Sequence, residues 1–323
     1  MSEPANIKFN TEIDNPQPTQ QTEGVAIEES TYRYDALRDA DVNGLSSTRR
    51  PTLVTLFGIS ECGKTTFVGS LFAILCRRPQ LLNSSFIDSD TLTGFQRRVH
   101  TRFLSEKGLS EPPRTQRRAG SILNMILGDE HGDNQRMIVF SDLSGEIYND
   151  AASKDDVVLQ QIAVKYADKL VIFVDTEKLL PAKNNAYKAS FQSLLTRFKE
   201  KGMFTKETEF FLVFNKADLV KEEANKASEG ITDNDELNRK RAEVRNLWEQ
   251  RKRSILNIVN PLVTVPSNNI YEICSKGIEY ENEDTKLIEL FNRLITEKTP
   301  PFLSPEYNWI HKLVKKKMIW KTI

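Results

Sequence analysis

The chain has 323 residues, with 45 lysines and arginines against 45 aspartates and glutamates, so its formal net charge is zero. That balance excludes a protein that grips nucleic acid through a broadly basic surface, and the length suits one large domain or two small ones with a proper apolar core. Three cysteines, Cys62, Cys76 and Cys274, are too few for a disulfide framework and show no metal-ligand spacing, which fits a reducing, cytoplasmic setting; no apolar run is long enough to cross a bilayer.

Residues 1–47 are rich in Gln, Asn, Pro, Glu and Thr, with apolar residues only singly. Such a stretch buries too little surface to offset its ordering entropy, and a mostly disordered tail is expected. It has neither the basic nor the apolar region of a signal peptide. Tyr32-Arg33-Tyr34-Asp35-Ala36-Leu37 is the exception, and two readings stand: it docks on a neighbouring surface, or it is the end of a weakly helical linker.

From Pro51 the pattern changes. Thr52–Phe57 is a β-branched and apolar run that ends at Gly58, which reads as a buried strand. After Lys64, Phe67, Val68, Leu71, Phe72 and Leu75 recur at helical spacing. Strands are expected at Ser121–Leu127 and Arg136–Ser141, joined as an antiparallel hairpin by the turn-rich Gly128–Asn134, and then at Lys169–Val174, Glu209–Phe214 and Asn269–Cys274. Apolar periodicity places helices at about 154–167, 184–201, 235–257 and 284–297. Strands alternating with helices predict a three-layer α/β fold: a mostly parallel six-stranded sheet with one antiparallel hairpin strand and helices on both faces.

This domain would span residues 48–298. Two stretches in it, about 86–110 and 221–258, exceed a minimal sheet-and-helix design and are expected as insertions; they hold the charged pieces Gln96–Leu104 and Asp235–Arg245. Residues 299–323 form a basic extension that either docks on its own domain or meets an acidic partner or an anionic membrane surface. His100, His131 and His311 show no ligand spacing and read as surface residues.

Gly58-Ile-Ser-Glu-Cys-Gly63-Lys64-Thr65 matches G-x-x-x-x-G-K-[ST] and lies after a strand and before a helix, as that motif requires. The glycines allow a tight turn in which the backbone from Ser60, Glu61 and Cys62 through Gly63, Lys64, Thr65 and Thr66 converges on phosphate oxygens, with the helix N-terminus adding partial positive charge. Lys64 would reach the β- and γ-phosphates and the Thr65 hydroxyl would ligate Mg²⁺. Cys62 could have its thiol acidified by the same N–H groups, or simply be a small residue tolerated there.

The expected strand at 136–141 ends in Asp142-Leu-Ser-Gly145-Glu146, where Asp142 can hold Mg²⁺ through water and Gly145 can offer its N–H to a γ-phosphate. The strand at 209–214 ends in Asn215-Lys216-Ala217-Asp218. An aspartate accepts from the two adjacent N–H donors of guanine, a pair that adenine lacks. The Lys216 stem can cover the base, Asn215 can tie this loop to the phosphate loop, and Ser275-Lys276-Gly277 can offer a backbone N–H to the guanine O6. All four segments fall at C-terminal strand ends, where open α/β sheets bind ligands.

Together these residues resemble the Ras-like branch of P-loop GTPases over about Thr52 to Thr296. In that family's terms Gly58 to Thr65 is the phosphate loop, Asp142 to Gly145 the second switch, Asn215 to Asp218 the base-recognition motif and Ser275-Lys276 the last motif. The resemblance also implies a first-switch threonine that closes on Mg²⁺. Thr115, in Glu111-Pro-Pro-Arg-Thr-Gln-Arg-Arg118, fits by order, with Thr91 and Thr101 as rivals. The P-R-T segment, the D-L-S-G-E switch and the helix after G-K-T-T resemble, more narrowly, the bacterial double-GTPase (DO-GTPase) group. That resemblance implies a second GTPase or a GTPase-associated protein as partner, in a multi-protein system of the antiviral or conflict type.

One position departs from the Ras-like pattern. Glu146 stands where a glutamine orients the attacking water, and its charge beside a γ-phosphate is unfavourable unless paired, so slow turnover is expected. Arg114, Arg117 and Arg118 either supply the missing positive charge or are solvated loop arginines. The expectation is a Mg²⁺-dependent GTP/GDP switch with Lys64, Thr115, Gly145 and Glu146 at the chemistry, and no direct contact with nucleic acid. A GTP-loaded scaffold that does not hydrolyse is the alternative; an ATP-driven protein is disfavoured by N-K-x-D.

Overall fold

The computed structural model describes residues 36–37, 51–106, 121–129, 131–275 and 285–296, with the backbone alone over 100–106. β1 (Thr52–Phe57) is buried along its whole length and runs into Gly58, where the chain turns into α1 (Lys64–Arg77). β2 (Ser85–Asp88) and α2 (Leu92–Glu106) follow, and β3 (Ile122–Gly128) and β4 (Arg136–Ser141) form the expected hairpin. Three short helices, α3 (Gly145–Ala151), α4 (Asp155–Gln160) and α5 (Ile162–Lys165), lead into β5 (Lys169–Asp175). The rest alternates: α6 (Thr176–Leu179), α7 (Asn185–Glu200), β6 (Glu209–Asn215), α8 (Asp218–Ala227), α9 (Asn234–Val259), β7 (Ile270–Ile273) and α10 (Thr285–Ile295).

These strands make one seven-stranded sheet in the order β2-β3-β4-β1-β5-β6-β7. β4, β1, β5, β6 and β7 run parallel, and β3 is antiparallel to both of its neighbours. β5 shows why the strands read as continuous apolar runs: helices cover both faces, so both side-chain sets need burial. Val171 and Phe173 join α1, α10 and Phe95 of α2 in one core, whereas Leu170, Ile172 and Val174 join α7 and α9 in the other. β1 is flanked by β4 on one side and β5 on the other, so the connections diverge there and a crevice opens at its C-terminal end.

The α/β class is as expected, but the described residues form a sheet of seven strands and not six. The additional strand, β2, is four residues long, half-buried to exposed, and pairs with β3 through a register shift between Phe86 and Asp88. A short edge strand of this kind carries no alternation for a sequence pattern to register. The helix expected over about 154–167 is also two helices. Gln161 leaves helical geometry between them, its amide donating to Val157 O, and the turn delivers Ala163 O to the Thr55 hydroxyl at 2.8 Å.

Residues 86–106 hold β2 and α2, with Phe95 fully buried in the core shared with α1. Residues 221–258 hold most of α8 and α9; Trp248, Ile255 and Val259 of α9 are buried, while its charged first half is largely exposed. Of the Tyr32–Leu37 piece, Ala36 and Leu37 are described, and they dock: Leu37 N donates to Ile122 O at 2.8 Å and Leu37 O accepts from Ile122 N at 3.0 Å. Residues 1–35, 38–50 and 297–323, which include most of the expected tail and the basic extension, lie outside the described residues.

Candidate functional site

The loop between β1 and α1 depends on backbone conformations that few residues adopt. Gly63 sits at φ 90°, and a Cβ there would lie 2.1 Å from Asn215 Nδ2. Only glycine allows both the turn and that approach. Among the described residues four non-glycines have positive φ. Two are asparagines in turns, Asn83 and Asn134, where that region is inexpensive; the others are Glu61 at 70° in this loop and Lys216 at 62° in the loop after β6. Strained backbone of this kind gathers where geometry serves a function.

Lys64 opens α1 and its ammonium lies in the mouth of the loop, donating to Gly58 O at 2.7 Å and Ile59 O at 3.2 Å, over the face of Tyr148 at 5.4 Å from the ring centroid. Ser60 is half-buried, as are Thr65 and Thr66 in the first turn of α1. Cys62 is buried, and burial pushes its thiol up, Lys64 opposing only in part. This agrees with the reading of Cys62 as a small residue tolerated in the loop, since desolvation outweighs the nearby N–H groups.

Asp142, at the end of β4, is fully buried. Its Oδ1 accepts from the Thr65 hydroxyl at 3.2 Å and its Oδ2 from Arg98 Nε at 2.8 Å. The chain then enters α3 under a Ser144 cap, with Glu146 in the first turn, where the helix end favours a carboxylate. Gly145 abuts the phosphate loop so closely that a Cβ would lie 2.3 Å from Ser60 Cα. Two further residues hold α3 there: Asn149 Nδ2 donates to Ser60 Oγ at 3.1 Å, and Tyr148, buried in the core, donates from its hydroxyl to Leu56 O at 2.9 Å.

The third wall is the loop after β6. Asn215 Nδ2 donates to Cys62 O at 2.9 Å, and its Oδ1 accepts from Ser275 N at 3.0 Å. One buried amide thus joins three chain segments. Lys216 Nζ pairs with Asp175 at 3.1 Å and Glu177 at 2.6 Å. Burial pushes the Asp175 carboxyl up, while Glu177, bonded to Lys216, is held below the usual range. Asp218 opens α8, and among the described residues its Oδ1 is buried without a hydrogen-bond partner, as is the hydroxyl of Ser275. An unsatisfied buried carboxylate oxygen is a place for a further donor.

The fold therefore gathers Gly58 to Thr66, Asp142 to Glu146, Asn215 to Asp218 and Ser275 at one end of the sheet. Thr115, Lys276, Arg114, Arg117 and Arg118 lie outside the described residues, as does the side chain of Thr101. Thr91 is bonded away, its hydroxyl donating to Asn124 O and Oδ1 at 3.2 Å.

Residues 52–261 match the family Double-GTPase 2 (DO-GTPase2). The chain belongs to this family. As a Double-GTPase 2 member it is a GTP-binding protein of the P-loop class. No curated protein sequence matches it. Among solved structures it is similar to a bacterial selenocysteine-specific elongation factor, EF-Sec, at 15% identity and TM-score 0.33, over 83% of this chain and 29% of that one. It is also similar to the GTPase-like domain of S. cerevisiae Ski7 bound to GTP, at 14% identity and TM-score 0.38, over 77% of this chain and 50% of the other. A third is Methanosarcina barkeri Roco2 RocCORdC bound to GDP, at 15% identity and TM-score 0.33, with 77% and 50% covered. The chain thus spans half the length of these structures or less.

Three residues of this Double-GTPase 2 site escape the motif search: Arg98, Tyr148 and Asn149. Arg98 had a signal, since it follows the buried Phe95 by three residues on α2, and a charge on a buried helical face implies a partner. Tyr148 and Asn149 follow the D-x-x-G glycine within one helical turn, and only the packing of α3 reveals what they touch.

Proposed function

We propose that the chain binds GTP with Mg²⁺ in this crevice, hydrolyses it slowly, and works as a nucleotide-controlled component of a cytoplasmic, multi-protein bacterial system of the antiviral type, with a second GTPase or a GTPase-associated protein as partner. The single observation that carries the guanine assignment is the buried, unpartnered Oδ1 of Asp218, positioned by an Asn215 clamp that joins the base loop to the phosphate loop. Guanine offers an aspartate two adjacent donors.

The donor set suits magnesium. One hydroxyl and one carboxylate oxygen lie side by side at Thr65 and Asp142, and Mg²⁺ takes few protein oxygens and keeps waters and phosphates. Bound there, it would supply charge neutralisation for the β- and γ-phosphate oxygens. The chain's own residues do the rest. The first-turn N–H groups of α1 hold the phosphates, Lys64 offers its ammonium from the loop mouth, and Gly145, packed against Ser60, offers its N–H to the γ-phosphate. Glu146 orients water as a hydrogen-bond acceptor but adds negative charge near the γ-phosphate, which keeps turnover slow.

The alternative is a GTP-loaded scaffold, favoured by Glu146 and by the fixation of α3 through Tyr148 and Asn149. Denaturing the purified protein and identifying the released nucleotide decides between them: GDP supports the switch, GTP the scaffold. Asp218→Asn is expected to shift preference from guanine to xanthine nucleotides by at least about tenfold, the order of one charge-assisted hydrogen bond exchanged. Calorimetry with GDP, XDP and ADP measures this, and tight ADP binding with none of GDP sinks the assignment.

A further inference from the structure

Arg98 is a cation at a place that has to admit another cation. It is 7% exposed, on the face of α2 that meets α1, where Gly69 lets the backbones close so far that a Cβ would lie 2.6 Å from Arg98 O. This contact fixes where the side chain starts. One guanidinium nitrogen, Nη1, donates to Gly94 O at 3.0 Å, one turn earlier on the same helix, and Nε donates to Asp142 Oδ2 at 2.8 Å. The fork is therefore held at both ends. Asp142 has two oxygens, and the arrangement divides them: Oδ2 to Arg98, Oδ1 to the Thr65 hydroxyl at 3.2 Å.

A carboxylate whose only task is to hold Mg²⁺ has its charge balanced by the metal. An arginine bonded to the same group shares that charge and repels a divalent cation a few ångströms away. We propose that Arg98 is a positioning residue that sets the divalent-cation affinity of the nucleotide site, aiming Asp142 Oδ1 at Thr65 while weakening Mg²⁺ binding. The consequence is that nucleotide release responds to Mg²⁺ over a higher concentration range than Thr65 and Asp142 alone would give. This inference rests on the reading of Thr65 and Asp142 as the magnesium pair.

The test is the dissociation rate of a fluorescent GDP analogue from the full chain, measured across a Mg²⁺ titration. Arg98→Gln removes the charge, and the Mg²⁺ concentration at half-maximal retention is expected to fall about tenfold, the order for one screened unit charge beside a divalent ion. Arg98→Lys keeps the charge, and its midpoint is expected within about twofold of the unchanged protein. A residue that merely supports the fold would change melting temperature in both variants and move neither midpoint. An unchanged or raised midpoint in folded Arg98→Gln overturns the proposal. Should that variant fail to fold because Asp142 loses its partner, a tenfold shift in Arg98→Lys overturns it equally. If the unchanged chain retains no guanine nucleotide at any Mg²⁺ concentration, the magnesium-pair reading falls with it; if it retains nucleotide and the Arg98→Gln midpoint does not move, only the role of Arg98 falls.

Discussion

Asn215 shows how much one side chain can organise. Its amide donates to Cys62 O and accepts from Ser275 N, so the phosphate loop, the base loop and the last loop meet at one buried group. Asn215→Ala leaves that carbonyl and that N–H buried without partners, a loss of about 2–4 kcal/mol for the pair. Because the clamp holds Asp218 and the phosphate loop in a single geometry, the same change is expected to weaken GDP binding by roughly a hundredfold. Calorimetry and a melting curve read the two effects, and unchanged affinity in a destabilised protein would reduce Asn215 to a structural role. At this scale the motifs were legible because their chemistry dictates residue type at fixed spacing. The Arg98–Asp142 pair was not, since its partners are 44 residues apart, one on α2 and one just past β4, and only the fold unites them.

Among the elements, α3 packs directly on the phosphate loop. It is seven residues long, too short to be stable alone, so tertiary contacts hold it. Tyr148 supplies two of them: its ring lies edge-on to Phe57 at 4.8 Å, and its hydroxyl bonds to Leu56 O. Tyr148→Phe removes only the hydrogen bond, about 1 kcal/mol, whereas Tyr148→Ala opens a cavity under the phosphate loop and costs about 3–5 kcal/mol. Urea unfolding gives both values, and amide exchange across Gly145–Ala151 should rise sharply in Tyr148→Ala and stay protected in Tyr148→Phe. Exchange that is equally fast in all three forms would show that α3 is not held by this contact. Long, strongly patterned elements such as α7 and α9 were legible in the sequence to within a few residues. α3, α6 and β2 were not, because elements of four to seven residues are specified by what they pack against.

Across the whole molecule the two ends of the sheet have separate tasks. The C-terminal ends of β1, β4, β6 and β7 lead into the candidate site, while β5 begins at the opposite end with Lys169, a buried lysine. Its Nζ donates to Arg293 O at 2.5 Å, Leu294 O at 3.0 Å and Thr296 O at 2.6 Å, carbonyls at the C-terminal end of α10 and just past it. A cation there also meets the negative end of the helix dipole. Lys169→Met keeps the stem and removes the charge and three hydrogen bonds, and a loss of about 2–4 kcal/mol follows, or a fall of roughly 5–10 °C in melting temperature for a domain of this size. Nucleotide affinity should stay within about twofold, because distant sites without shared partners act independently. A tenfold loss of GDP binding in a folded Lys169→Met protein would mean that α10 communicates with the crevice through α1, against which it packs in the same core.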